Sequence, residues 1–379
     1  MTKGLPLLLA LMSLLPGVAG AYPQYIAKGY TNCATCHYSP SGGGLPNSYG
    51  HPAAEATFPD QVKLEWLKDF RALIAKRDVT GTDDQDQPAF QYDLGLDARV
   101  MALRTPTQVA APPSWLAFPM LAEVGGVVAY GPLLAYATVT PRPSGAESRS
   151  FSAVSREHWI QYKIGGEQSI RAGRLVLPFG LRIPDHTAPT REDFGFNKYD
   201  QWYAVQWDYF GEHLMVAVAG FDGTLVRERV RPGERGLCAT LAYNFPSTAA
   251  IGVSALGAIS SPASRFASSL FLRWRPIWKT YVMGELAFQQ ISDRISSKVQ
   301  REPAAMLRAG VFLLDSADLY AEVGGRTILG AWETTKLRYV FGLDWKVLPW
   351  VELSPAYLLE ETVETGLSGS LLAQLHVFW

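Results

Sequence analysis

The sequence predicts an all-β fold, a transmembrane antiparallel β-barrel of about sixteen strands behind a small N-terminal segment of different chemistry. Three observations predict it. Hydrophobic residues make up 48% of the 379, yet they are spread through many short alternating stretches. Beyond the N-terminus there is no apolar run of about 18 residues, so no transmembrane helix is expected. The mean hydropathy of +0.02 is likewise too polar for a helical membrane bundle. Finally, the last stretch alternates over a full membrane span and ends on an aromatic residue.

The elements follow in chain order. Residues 1–21 read as a signal peptide: Lys3 gives the positive start, Leu5 to Leu15 the short apolar core, and Ala19-Gly20-Ala21 the cleavage site. A mature start near Tyr22 implies export. The net charge of −1, with no basic stripe, excludes a nucleic-acid partner. The three cysteines, Cys33, Cys36 and Cys238, are an odd set for an exported protein and argue against a disulfide framework.

Residues 22–87 form the second unit. Cys33-Ala34-Thr35-Cys36-His37 is C-x-x-C-H, the attachment signature of c-type haem. Two thiols at this spacing can add to the two vinyl groups of one porphyrin, and His37 then faces the iron as proximal ligand. A thioredoxin-like pair would need a βαβ setting, and a zinc site would need further ligands at regular spacing. Neither is visible, and a motif behind a signal peptide reaches the compartment where haem is attached. His51 reads either as the distal ligand or as a solvated turn histidine. The run Ser39-Pro40-Ser41-Gly42-Gly43-Gly44 is loop chemistry that lets backbone come close to a neighbour. An amphipathic helix capped by Asp60 is expected next. Val62, Trp66, Phe70, Leu73 and Ile74 form its stripe, and Lys63, Lys68, Arg71, Lys76 and Arg77 its polar face. It reads as a packing helix or as a docking face for a redox partner. The polar, acidic stretch Thr80 to Gln87 ends the unit.

Residues 88–379 form the barrel. Strands are expected near 90–104, 115–129, 132–142, 155–166, 168–177, 202–210, 213–221, 235–245, 249–260, 265–275, 278–290, 303–315, 317–326, 335–346, 349–360 and 367–379. Short turns such as Tyr130-Gly131 and Gly211-Glu212 alternate with long polar loops at 143–154, 178–201, 222–234, 291–302 and 327–334. That asymmetry matches short periplasmic turns and longer outer loops. An even count leaves both ends, and the haem segment, on the periplasmic side or in the lumen. The third outer loop, Pro178 to Gln201, resembles the constriction loop that general porins fold into the lumen; it reads equally as a solvated loop. Its Asp185, His186, Glu192 and Asp193 are a weak Fe²⁺ set. His376 falls on the polar face of the last strand. It reads as lumen lining, with a sixth haem ligand as the rarer alternative. Cys238 reads as a small lumen filler.

A signal peptide, one C-x-x-C-H at Cys33, Cys36 and His37, a barrel of about sixteen strands and the terminal Trp379 together resemble the fused monohaem cytochrome c–porin proteins of the bacterial outer membrane. The best known of these are iron oxidases. The resemblance implies one covalent haem c, lipid around the barrel, and electron flow from extracellular Fe(II) to a periplasmic c-type cytochrome or other redox carrier. That would make the chain an Fe(II):cytochrome oxidoreductase. By analogy with sixteen-stranded porins it also implies a homotrimer. The chain departs from the family in being compact and in showing no evident iron site. Two other functions fit the residues: a porin or channel whose haem is structural or senses redox state, and a barrel that sheathes a separate cytochrome.

Overall fold

A computed structural model describes residues 23–28, 36–39, 45–47, 49–50, 53, 75–76, 90–104, 114–143, 151–183, 188–192, 194–196, 200–223, 233–245, 248–348, 350–363 and 366–378. The signal peptide, Cys33, His51, nearly all of the expected helix, Asp185, His186, Asp193 and Trp379 lie outside the described residues.

Sixteen staves close into one antiparallel barrel. They are β1 Phe90–Arg104, β2 Trp115–Tyr130, β3 Leu133–Pro143, β4 His158–Lys163, β5 Gln168–Val176, β6 Gln201–Phe210, β7 Leu214–Asp222 and β8 Arg235–Phe245. The second half comprises β9 Ala249–Ile259, β10 Ala263–Trp274, β11 Thr280–Asp293, β12 Val299–Leu314, β13 Ala317–Ile328, β14 Ala331–Leu348, β15 Val351–Thr362 and β16 Gly366–Phe378. Each pairs with its chain neighbour. β16 closes on β1 through a register running from Leu371 opposite Arg104 to Phe378 opposite Asp97. A short segment, Phe151–Val154, extends the tip of β3. Closure joins the first and last strands and removes the sheet's long free edges.

Side-chain alternation builds two surfaces. On β8, Leu237, Leu241, Tyr243 and Phe245 face out and are exposed, while Cys238, Thr240, Ala242 and Asn244 face in and are buried. The same division recurs on β9 to β12. The outer surface is therefore apolar, as a lipid-facing wall must be. Exposed aromatics ring the short-turn mouth: Phe90, Tyr130, Tyr162, Tyr243, Phe245 and Trp274. Among the described residues no helix is long and apolar enough to cross a membrane.

Two expectations are corrected. The segments 291–302 and 327–334 are largely strand, because β11, β12 and β14 run on into tight turns. Asp293 Oδ1 accepts from the Ile295 and Ser296 N–H groups at 2.7 and 2.8 Å, closing one of these turns. One polar residue there is a lumen side chain: Glu302 accepts from Gln289 and pairs with Arg326 at 2.9 Å. Second, Ala75–Lys76 does not end a helix. It pairs antiparallel with Asp93 and Tyr92 of β1, beyond the point where β16 runs out.

Candidate functional site: the filled lumen

Two segments fold into the barrel. The first is the third outer loop. The Pro178 carbonyl accepts from Cys238 Sγ at 3.1 Å and from the Thr240 hydroxyl, both on the inner face of β8. The Gly180 N–H donates to Ser254 Oγ at 2.9 Å. Gly180 has a φ of +63°, and a Cβ there would collide with the Glu285 carboxylate, so only glycine lets the loop lie so close to the wall. Arg191 donates to the Phe179 carbonyl at 2.8 Å, across the loop. Arg265 donates to the Phe194 carbonyl at 2.8 Å and to both Glu234 oxygens at 2.8 and 2.7 Å. Phe179 and Phe196 stack at 3.9 Å, and both pack on a wall of small residues that includes Ala219, Ala258 and Ala267. The expectation of an inward-folded loop holds. Arg182 stays partly exposed, and Glu192 is exposed. Cys238 is indeed a buried lumen residue, and burial pairs its thiol with a backbone carbonyl.

The second segment is N-terminal. Helix α1, Pro23–Ala27, is seated inside the barrel. Ile26 and Ala27 are buried in one cluster with Tyr281, Met283 and Phe312 of the wall and Leu181 of the third loop. Burying a side chain like Ile26 stabilises by roughly 1.5–3 kcal/mol. Lys28 then reaches the turn after β12, where its Nζ lies 3.0 Å from Asp315 Oδ1.

The motif residues Cys36 and His37 lie on a closed hairpin. The Asn47 N–H donates to the Cys36 carbonyl at 2.8 Å, and the Tyr38 N–H to the Leu45 carbonyl at 3.2 Å. Asn47 Oδ1 accepts from the Tyr49 and Gly50 N–H groups at 3.0 and 2.9 Å, the bonding of a helix cap. Gly50 sits so near that a Cβ would strike the Cys36 carbonyl. Leu45 anchors the hairpin: it is buried in a cluster with Val127, Leu134, Tyr136 and Trp159 of the inner wall. Ser39 is buried and accepts from Arg171 Nη1 at 3.5 Å. The hairpin thus lies in the lumen, with Cys36 and His37 half-buried.

Aromatic and charged side chains lie beside the hairpin. Beside the hairpin, Tyr136 and Trp159 stack at 5.0 Å and the Arg171 guanidinium lies 5.6 Å from the Trp159 ring. Trp159 Nε1 and Gln161 Oε1 are buried with no hydrogen-bond partner among the described residues. Buried orphan atoms of this kind are normally satisfied by water or a ligand. Trp159 and Gln161 were missed in the sequence. An alternating strand shows which residues face in, but not which face another segment.

The wall from β12 round to β1 is charged and tightly paired. Arg308 bonds Asp344, Lys346 bonds Glu352 at 2.9 Å, and Arg99 bonds Asp97 at 3.2 Å. His376 belongs to this network. Its Nε2 lies 3.0 Å from Asp97 Oδ1 and its Nδ1 3.9 Å from Glu352 Oε1. Both ring nitrogens therefore face carboxylates, the setting of a lumen-lining residue. Among the described residues no cluster of His, Cys, Asp or Glu could hold a metal ion.

No protein-family model and no curated protein matches the chain. Solved structures do match. The chain is similar to a loop L8 deletion mutant of OmpT, an outer membrane protein of Vibrio cholerae. The TM-score is 0.60 at 12% identity, over 77% of this chain and 100% of that one. It is also similar to the outer membrane channel DcaP of Acinetobacter baumannii, with TM-score 0.57 and 11% identity over 79% and 99%. An anion-selective porin from Comamonas acidovorans gives TM-score 0.58 and 10% identity over 76% and 99%. At these identities the likeness establishes the fold, that of porin barrels. Those chains are matched almost entirely, while this chain carries residues they lack.

Proposed function

From a porin-type barrel with a filled lumen, we propose a protein of the bacterial outer membrane that passes electrons through one covalent haem c. Cys33 and Cys36 hold the porphyrin, and His37 ligates its iron. The observation that carries this reading is the position of the Cys36–His37 hairpin, inside the lumen and packed on the wall by Leu45. A haem lying wholly in the periplasm could not bridge an apolar band ~25 Å tall. A haem part-way into the barrel shortens that path. When bound, it supplies a one-electron iron couple whose potential is set by the axial ligand, burial and hydrogen bonds. The chain's own residues do the rest. Leu45 and Gly50 fix the hairpin, the third loop narrows the lumen above it, and Trp159 and Arg171 offer N–H donors to the porphyrin's carboxylates. His51 remains the distal candidate.

Extracellular Fe(II) as donor, a periplasmic cytochrome as acceptor and a homotrimer are part of the same proposal. The trimer is favoured by likeness to OmpT of Vibrio cholerae, one of whose structures is described as a trimer form. A channel with an accessory haem is the second reading. It is favoured by the likeness to channels and by the inward third loop. Stopped-flow mixing of Fe(II) with the oxidised protein separates the two. Rapid growth of the reduced α-band, lost in His37→Ala, supports iron oxidation. A haem reduced by dithionite but not by Fe(II) removes iron as donor.

A further inference from the structure

The N-terminal segment does more than carry the C-x-x-C-H hairpin, because its first turn is seated in the mouth through which a solute would leave. Sixteen staves enclose a lumen wide enough for water. At the short-turn mouth that lumen holds α1. Ile26 and Ala27 are buried in one cluster with Tyr281, Met283 and Phe312, which also holds Leu181 of the third loop. The apolar socket is built for such an occupant. Phe312 and Met283 face inward beside Tyr281 and Met306, on strands that elsewhere turn Glu285, Arg308 and Glu302 to the lumen. One residue on, the contact becomes ionic. Lys28 Nζ bonds Asp315 at 3.0 Å and stands 5.4 Å from the Trp278 ring centre, between two neighbouring turns of the rim. Lys279, from the other of these turns, also faces Asp315, at 3.7 Å.

We propose that Pro23–Lys28 is a reversible cork on this mouth: Ile26 and Ala27 plug the socket, Lys28 latches onto Asp315, and the barrel stays closed to small solutes until the latch is broken. The inference rests on the barrel and does not need the haem. The socket gives the cork its position, and the ion pair, partly open to water, makes its release sensitive to salt and charge. Cork and third loop share one buried cluster through Leu181, so a rearranged loop also loosens the cork.

Single-channel recording of the full-length protein in planar bilayers tests this. Lys28→Glu or Asp315→Lys should raise the open probability about tenfold over the wild type, as loss of roughly 1.4 kcal/mol would. The paired exchange, Lys28→Glu with Asp315→Lys, should reclose the pore. Heat-modifiable mobility on gels confirms that each variant is a folded barrel, and Asp315→Asn supplies a milder change if a reversal prevents assembly. Single variants that conduct as the wild type does would overturn the proposal. So would a paired exchange that stays as open as the singles. The haem spectrum, recorded on the same samples, reports separately on the electron-transfer reading.

Discussion

Arg265 carries the heaviest prediction, because one side chain ties two outer loops to the wall. Its guanidinium makes two bonds to Glu234, at 2.8 and 2.7 Å, and one to the Phe194 carbonyl at 2.8 Å. It also lies 5.2 Å from the Phe196 ring centre. Arg265→Met removes all of these and leaves the Glu234 carboxylate buried without its cation. Breaking a buried pair from one side costs roughly 3–5 kcal/mol. The ladder of backbone bonds around β10 is untouched, so the cost falls on the third loop and on the end of the fourth. Opening of the third loop should then become more frequent by roughly two to three powers of ten. Proteolysis of the folded protein, timed and mapped by mass spectrometry, reads that opening as cleavage between residues 178 and 200. Arg265→Met combined with Glu234→Met should recover most of the loss, since a buried pair replaced by apolar groups is often close to neutral. A single variant cut at the wild-type rate, or a double variant no better than the single, would refute the argument.

Further outcomes are expected. Gly180→Ala should loosen the same loop, since a residue with a Cβ pays about 1–2 kcal/mol at this positive φ and meets the Glu285 carboxylate as well; unchanged proteolysis would count against the docking. Gly50→Val should displace the Cys36 carbonyl and cut covalent haem yield while the barrel still assembles, as read by haem stain against heat-modifiable mobility. His376→Gln should leave the haem optical spectrum unchanged, because its ring already faces Asp97 and Glu352; a spectral change would make it the sixth ligand. Asp315 lies in a turn outside the strands, and its hydrogen bond from Lys28 holds its carboxyl below the usual range, with Lys279 adding to the effect. A lowered pKa means that docking of the cork is favoured above the ordinary carboxylate range and weakens as pH falls through the lowered value. Single-channel recording across this range should show open probability rising as the pH falls, with Asp315→Asn abolishing the dependence.

The strands were legible because lumen and lipid impose opposite chemistry on successive residues. All sixteen expected strands coincide with staves to within a few residues. Errors arose at the long-loop mouth, where β11 to β14 run on past the expected strand ends. There Arg301 and Glu302 look like loop residues, although Glu302 is a lumen partner of Gln289 and Arg326. The C-x-x-C-H motif was legible as five adjacent residues. What surrounds it was not. Lys28 meets Asp315 across 287 positions, and Ser39 meets Arg171 across 132. Neither spacing leaves a periodic trace. Ala75–Lys76 was misread because its apolar pattern fits a helix, while the vacant edge of β1 that it fills arises only when the barrel closes.

The most direct test of the account is haem stoichiometry on the folded barrel. The protein would be produced from its full sequence in a host that attaches c-type haem, then purified from the membrane fraction. The account predicts one haem per chain by pyridine haemochrome. The haem should migrate with the compact barrel before heating, remain on the chain after boiling, and vanish in Cys36→Ala. A folded barrel from the same host with no covalent haem would contradict it, and would leave a corked porin.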